Sequence, residues 1–429
     1  MNETKTETPA VELAAYVGID WADRAHAVCL RTADGAIESG TLAQEPAAVA
    51  AWAQELRTRF DGRPVGVCLE QSRGALVYAL SAFSWIVLYP INPKSLARYR
   101  ESLYPSRSKN DPTDAALLSD FLAKHRDQLR PWKAEDSETL HLRFLLENRE
   151  KLVDDRTRLS HRLRDTLKRY FPQAIEWAGP LTSATSWAFL LKWSRLGDLK
   201  KTSKGALLRF FHAHRVRRCD KVADLWPLIQ AAVEPVQDPA LVESSVLMVE
   251  GLCKQLQALQ PTIDRHERQI EALYARHPDK GLFDNLPGAG PVLGPRLLVA
   301  FGTDRDKFTG PEPLQQLGGI APVTEQSGQR SWTHWRWAAS SFLRQSFHEF
   351  AAHSIARSTW SRAYYQLQRQ RGKKHHAAVR ALAYKWIRVL YRCWKDRQPY
   401  DEARYVACLI AHGSPLAAAL QSQQLEACE

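Results

Sequence analysis

Residues 16–41 read YVGIDWADRAHAVCLRTADGAIESGT, and this stretch decides the fold of the first part of the chain. Tyr16 to Ile19 is a short apolar run that ends on Asp20, and Ala25 to Leu30 can return antiparallel to it. The Ala33-Asp34-Gly35 turn then leads to a third strand near Ile37 to Thr41, completing a three-strand meander. Further along, Pro46 to Arg59 reads as a helix, Val65 to Leu69 as a buried strand, Gly74 to Phe83 as a helix and Trp85 to Tyr89 as another strand. A helix from Pro112 to about Lys124 closes the series.

A meander feeding alternating helices and parallel strands, βββαβαβ, is the α/β layout of the RNase H-like fold. A chain of 429 residues exceeds one ordinary core, and after Pro131 the pattern changes to long helices. Leu252, Leu256, Leu259, Ile263, His266, Ile270 and Leu273 step by four and three in alternation, an a/d seam, with a looser counterpart at Leu145, Leu152, Leu159, Leu163 and Leu167. These stretches predict an antiparallel helical hairpin or an intermolecular coiled coil; two helices of an ordinary bundle would read alike. A last, mainly α unit opens near Leu282. Its Leu286-Pro287-Gly288-Ala289-Gly290-Pro291 is either a helix-hairpin-helix-like element, whose glycines bring backbone N–H groups to a phosphate, or a plain turn. Three domains are expected, at 1–130, 131–280 and 281–429.

The formal net charge of +12 is unevenly distributed. From Gln329 to Lys395 fourteen Lys or Arg stand against the single acid Glu349, and from Lys192 to Arg218 nine stand against Asp198. Clusters of this kind suit a phosphate backbone, because each neutralised phosphate releases a condensed counterion; a solvated basic surface is the plainer reading. Trp332, Trp335, Trp337, Tyr364, Tyr365, Tyr384 and Trp386 lie among these charges and can either stack on bases or pack in a core. The seven cysteines are scattered without a CxxC pair and read as reduced packing thiols. The polar start MNETKTETPA is no secretory signal, so a cytoplasmic protein is expected. The uncharged run Gly74 to Pro93 divides at Ser81, Ser84 and Pro90 into a helix and a strand, not a membrane span.

Asp20 ends the first strand and Glu70 follows the strand Val65 to Leu69, so in a sheet where these strands are neighbours both carboxylates project from one edge. Asp111 and Asp114, three residues apart at a helix entrance, share a face. Four oxygen donors of this kind suit Mg²⁺, which leaves positions open for phosphate and water. Each acid also has a structural reading: strand-end acids for Asp20 and Glu70, and for the others a helix start with Asp111 as N-cap, Pro112 at N1 and Asp114 at N3. Their joint placement on one fold favours the site.

At these residues the chain resembles a known family. Gly18-Ile19-Asp20, Leu69-Glu70-Gln71-Ser72-Arg73-Gly74 and Lys109-Asn110-Asp111-Pro112-Thr113-Asp114-Ala115 resemble the DEDD tetrad of the transposases of insertion-sequence family 110 and its 1111 subgroup. Leu286 to Gly290, Leu317-Gly318-Gly319-Ile320-Ala321-Pro322, Gln326-Ser327-Gly328 and the Gly372-Lys373-Lys374 helix resemble that family's C-terminal transposase domain. The two motif sets occur in the right order and span nearly the whole chain, least so Pro180 to Pro239. The resemblance implies a RuvC-like domain, a coiled-coil linker and a transposase domain. It further implies metal ligation by Asp20, Glu70, Asp111 and Asp114, a serine nucleophile at Ser327, and a bridge RNA that pairs with donor and target DNA. It also implies a composite site in which one protomer's acids meet another's serine within a dimer or tetramer. The chain departs from the family in having Asn110 where Thr is usual, in Pro112, and in Trp335-Arg336-Trp337-Ala338-Ala339 replacing a Lys-Arg-Gly-Asn turn.

The expected activity is therefore Mg²⁺-dependent cleavage and rejoining of double-stranded DNA through phosphoserine esters, with an RNA supplying sequence choice, in a cytoplasmic protein that joins the nucleoid when it acts. A serine hydroxyl needs activation, and no histidine adjoins Ser327 in sequence; without such activation Ser327-Gly328 is simply a turn. Two alternatives stand beside this one. One is a metal-only nuclease of the RuvC, Holliday-junction type with a structural serine; the other is a nucleic-acid-binding scaffold whose acids only cap structure.

Overall fold

The computed structural model of the chain describes residues 12–70, 72–104, 110–215, 220–417 and 420. The N-terminal MNETKTETPA, Gln71, Lys109, Arg217, Arg218, Cys219 and Cys428 lie outside the described residues. The chain divides into two compact units, Met1–Ala134 and Glu135–Glu429.

The first unit follows the meander with alternating elements: β1 (Ala15–Asp20), β2 (Ala25–Thr32), β3 (Ile37–Ala43), α1 (Pro46–Arg59), β4 (Val65–Leu69), α2 (Ala75–Ser81), β5 (Ile86–Pro90), α3 (Pro93–Leu103) and α4 (Asp111–His125). The sheet order is β3-β2-β1-β4-β5, with β1 antiparallel to β2 and parallel to β4. Strand alternation sorts the side chains into two faces. Ala15, Val17, Ile19, Val65, Val67, Leu69, Ile86 and Leu88 pack with Val49, Ala53, Leu56 of α1 and Leu76, Val77, Leu80 of α2. Cys68 and Tyr89, on the opposite face, pack with Leu96 of α3 and Leu117, Leu118, Leu122 of α4. This three-layer α/β unit is consistent with the RNase H-like expectation.

Two features differ from expectation. Helix α3 was not anticipated, although Asn92-Pro93 carries a start signature: Asn92 Oδ1 accepts from Lys94 N at 2.9 Å and Pro93 opens the helix. Helix α4 is capped by Asn110 and not by Asp111: Asn110 Oδ1 accepts from Thr113 N at 2.8 Å. Asn110 lies one residue further out with the extended backbone a cap requires, so Asp111 enters the first turn and its carboxylate is not used for capping.

In the second unit, α5 (Ser137–Tyr170) and α11 (Pro239–Arg276) run antiparallel within one chain, tied by Arg276–Glu138 at 3.2 Å, Arg149–Glu267 at 2.7 Å and Arg156–Gln260 at 2.9 Å. Of the expected seam, Leu252, Leu256, Ile263, Ile270 and Leu273 are buried, and Leu259 and His266 are half-buried. Between the two helices lie α6 (Ala174–Trp177), α7 (Ala184–Lys192), α8 (Leu196–Lys200), α9 (Lys204–Ala213) and α10 (Asp220–Ala231). Trp187, Phe189, Trp193, Phe210 and Phe211 form a core there with Leu163, Leu167, Val249 and Leu256. The described part of the basic segment is thus a folded helical cap. Lys192 lies 4.7 Å from the Trp193 ring centre.

The remainder comprises α12 (Lys280–Phe283), α13 (Gly290–Phe301), α14 (Pro311–Leu317), the hairpin β6 (Val323–Ser327) and β7 (Arg330–His334), α15 (Ser341–Ser354), α16 (Thr359–Gln370), α17 (His375–Lys395) and α18 (Glu402–Ala411). Its core is aromatic, with Phe301, Phe347, Phe350, Trp360, Trp386 and Trp394, and it takes in Leu142, Leu145, Ile270 and Leu273 at the base of the helical hairpin. Trp386 is therefore a core residue, its indole N–H donating to Ser354 and Ser361, whereas Trp332 and Trp337 stay exposed. In the glycine-rich turn, Gly288 has φ +87°, and a side chain there would meet the His353 backbone at 2.8 Å. That glycine serves close packing against the end of α15. The described cysteines form no disulfide, and among the described residues no helix is long and apolar enough to cross a membrane.

Candidate active site

Parallel pairing places Ile19 beside Leu69, so Asp20 and Glu70 leave the C-terminal ends of neighbouring strands on the same face, the α4 face. The same face carries Gly18, Cys29 and Cys68 at one level and Ala27 opposite Asp20. The Cys68 thiol is pushed up to about 12 by burial and then by the Glu70 charge, which fixes Glu70 as an electrostatic neighbour of this face.

The other two acids are delivered by α4, which crosses β1 at Gly18. A Cβ at Gly18 would fall on the Ala115 carbonyl oxygen and reach Leu118 Cβ at 2.7 Å, so glycine is what lets the helix sit directly on the strand. Ala115 packs on Ala27 and Cys29. Since Ala27 is the ladder partner of Asp20, the first turn of α4 is held at the Asp20 end of β1. Asp114 is only 1% exposed, while Asp111, one turn earlier, faces solvent.

Asp114 is not left as a bare buried charge. Arg100 of α3 places Nη2 at 2.6 Å and Nε at 2.8 Å from Asp114 Oδ1, and Tyr99 donates to Asp120 of α4 at 2.6 Å, fastening the two helices. Arg100 is the site residue that sequence reasoning missed, because it rides on the unanticipated helix α3. Trp21, 44% exposed, stands at the rim directly after Asp20.

Among the described residues no three His, Cys, Asp or Glu side chains are drawn together closely enough to hold a metal ion. Carboxylates at ligating distance repel unless a cation lies between them, and the Arg100 guanidinium supplies such a charge to Asp114. Four carboxylates are the kind of oxygen donors that a hard divalent ion takes, and the Arg100 guanidinium occupies Oδ1 of the buried one. Asp20, Glu70, Asp111 and Asp114 are the residues that would hold it.

Ser327 belongs to the second unit. It ends β6 and pairs with Arg330 of β7 across the two-residue turn Gly328-Gln329. Gly328 has φ +58°, the value a tight hairpin turn demands at its first central position. Ser327 and its neighbours on both strands are exposed, so the hairpin presents the hydroxyl to solvent. The base of the hairpin is braced instead. A side chain on Gly319 (φ +61°) would meet Ala339 Cβ at 2.8 Å and Arg344 Nε at 2.9 Å, and Arg344 Nη2 donates to the Arg336 carbonyl at 3.2 Å.

The described residues thus combine a three-layer α/β unit, with acids at adjacent parallel strand ends, and a mostly helical second unit, and the similarity of the chain to known proteins makes it a DNA transposase. A DEDD-type family model of IS110, described as "Transposase", matches residues 17–172, and a second, "Transposase IS116/IS110/IS902 family", matches residues 281–366. The chain is 28% identical over 406 residues to the mini-circle candidate transposase of IS117 from Streptomyces coelicolor, covering 93% of this chain and 98% of that protein. It is 28% identical over 400 residues to the 42 kDa protein of insertion element IS900 from Mycobacterium paratuberculosis, covering 91% and 98%. Over 395 residues it is 28% identical to the 44.8 kDa protein of IS116 from Streptomyces clavuligerus, covering 90% and 96%. The chain belongs to the IS110 transposase family.

Proposed function

We propose that the chain cuts and rejoins DNA strands through a Ser327 phosphoester, with Asp20, Glu70, Asp111 and Asp114 holding Mg²⁺. The observation that carries this reading is that Asp20 and Glu70 each stand one residue beyond the Ile19–Leu69 pair of neighbouring parallel strands, on the face that α4 covers. Bound there, Mg²⁺ would stabilise charge on phosphate oxygens and lower the cost of deprotonating an attacking hydroxyl.

Ser327 Oγ attacks phosphorus, its proton leaves, and a P–O ester to serine replaces the P–O bond to a deoxyribose oxygen, which departs as a hydroxyl. Attack by another strand's hydroxyl reverses the exchange and frees the serine. No oxidant or reductant is needed. An exposed hairpin tip suits a nucleophile completed by acids brought to it from outside its own strand pair, in line with a composite site assembled by a homo-oligomer. The basic surfaces of the second unit would hold donor and target DNA and a bridge RNA. In this reading the chain has three parts, 1–130, 131–280 and 281–429; the second and third share the core that takes in Leu142, Leu145, Ile270 and Leu273, within one compact unit. Cytoplasmic residence with nucleoid association follows from this reading.

Substituting Ser327 by Ala tests the proposal against the metal-only nuclease. Loss of strand cleavage with nucleic-acid binding intact is expected. Cleavage at the wild-type rate would assign the chemistry to water.

A further inference from the structure

The Trp335-Arg336-Trp337 segment follows β7 and leads to α15. Two arginines lie over the Trp335 ring: the Arg380 guanidinium of α17 is 3.6 Å from its centre and that of Arg344 of α15 is 5.1 Å. One helical turn along each helix, the His348 ring of α15 lies tilted against that of His376 of α17 at 5.5 Å, and His376 adjoins His375 at 5.0 Å. These groups line a stripe whose fixed charges are Arg344 and Arg380 and which ends at the exposed Lys373 and Lys374.

The stripe lacks a counter-charge. Among the described residues, no carboxylate pairs with Arg336, Arg344, Arg380, Lys373 or Lys374; Glu325 is engaged by Trp332 and His334, and Glu349 by Arg296 and Gln345. Burial and the charge of Arg344 hold Arg380 below the ordinary guanidinium value. The Arg344 Nε and Trp335 Nε1 donors are buried without an acceptor. Two like charges on one indole, with two unused N–H donors, cost free energy until an anion arrives. Arginine offers a phosphate the planar donor fork that it prefers.

We propose that the Arg344–Trp335–Arg380 stack seats a backbone phosphate of the DNA strand that reaches the serine hairpin. This rests on the reading of Ser327 as the strand-transfer residue. The stack lies at the hairpin's base, four residues of β6 from Ser327, roughly 14 Å at strand spacing. A duplex laid along the hairpin would place that phosphate about four base-pair steps from the one under attack. Exposed Trp337, 78% accessible beside the stack, adds an aromatic face to the same strand.

The test is a salt titration of the full-length protein, without RNA, binding a fluorescent DNA duplex by anisotropy, with an RNA hairpin as the parallel probe. Replacing Arg380 by Gln should lower the slope of log affinity against log salt for DNA by about 0.9, the loss of one phosphate contact. Arg380→Lys keeps the charge and should keep the slope. A purely structural role predicts equal damage from both substitutions, since both break the stack, and would overturn the proposal. A slope lost for RNA and kept for DNA would overturn it too. The covalent chemistry of Ser327 is read by a different assay, so failure here and failure of the strand-transfer reading are distinguishable.

Discussion

Arg100 holds Asp114 through a single carboxylate oxygen, Oδ1, at 2.6 and 2.8 Å, with both side chains largely buried. Removing one partner of a buried pair leaves the other uncompensated, at a cost of roughly 3 kcal/mol. Arg100→Gln should therefore lower the unfolding free energy by about that amount in urea denaturation, and added Mg²⁺ should restore more stability to the variant than it gives the wild type. An unchanged midpoint would mean that the pair is not a structural tie.

The second expectation concerns the seat of α4 on β1. Gly18→Ala forces a methyl group onto the Ala115 carbonyl, and overpacking of this kind costs on the order of 3 kcal/mol. The helix must lift, carrying Asp111 and Asp114 away from Asp20. The variant should lose strand cleavage together with stability, and a fully stable, fully active Gly18→Ala chain would contradict the close approach.

Most of the first unit was legible because strand alternation and turn residues act locally. Val65–Leu69 and Pro46–Arg59 have the bounds that their apolar pattern implies. Helix α3 was not legible because Ser95 to Leu103 mixes charged and apolar residues, and its short apolar face is recognisable only once α4 lies beside it. Asp111 was misread as a cap because Asn110 and Asp111 are both good caps, and only backbone geometry chooses between them. The exposed hairpin around Ser327 carries little hydrophobic signal, since both of its faces are open to solvent. The Arg344–Trp335–Arg380 stack joins residues distant in sequence, which no local pattern reports.

A pH effect is expected at His277, which joins the two ends of the helical hairpin. Its Nδ1 accepts from Asp279 N at 3.1 Å and its Nε2 meets Thr139 Oγ1 at 2.9 Å, so the ring is held neutral. Burial keeps it below the ordinary imidazole value of 6.5, against the pull of Asp279, Asp136 and Glu138 and with the help of Arg305. Below pH 6.5 the unfolded chain takes up the proton first, so this stabilisation is complete above that pH and declines as pH falls toward the folded-state value. Denaturation from pH 7 to 5 should show a decline of at most about 1.4 kcal/mol per unit from this group, absent in His277→Gln. A variant that declines as steeply as the wild type would remove His277 from the account.

Complementation tests the shared site. Asp20→Asn should abolish cleavage while leaving nucleic-acid binding largely intact, because the basic clusters lie in the second unit. Mixing that protein with Ser327→Ala protein should recover part of the activity, since a composite site rebuilds one intact set of groups from two defective chains. A mixture that stays inactive while both variants bind RNA and assemble would place the acids and the serine of each site in one chain.

The strand-transfer account is tested most directly by trapping. The reaction is stopped in denaturant, the protein is digested, and peptides that retain DNA are sequenced by mass spectrometry. A serine nucleophile leaves its oxygen in an ester with the DNA end, so the account predicts a DNA-linked peptide modified at Ser327 and not at Ser331, Ser340 or Ser341. Cleaved DNA with no peptide attached, or a link at another residue, would contradict it.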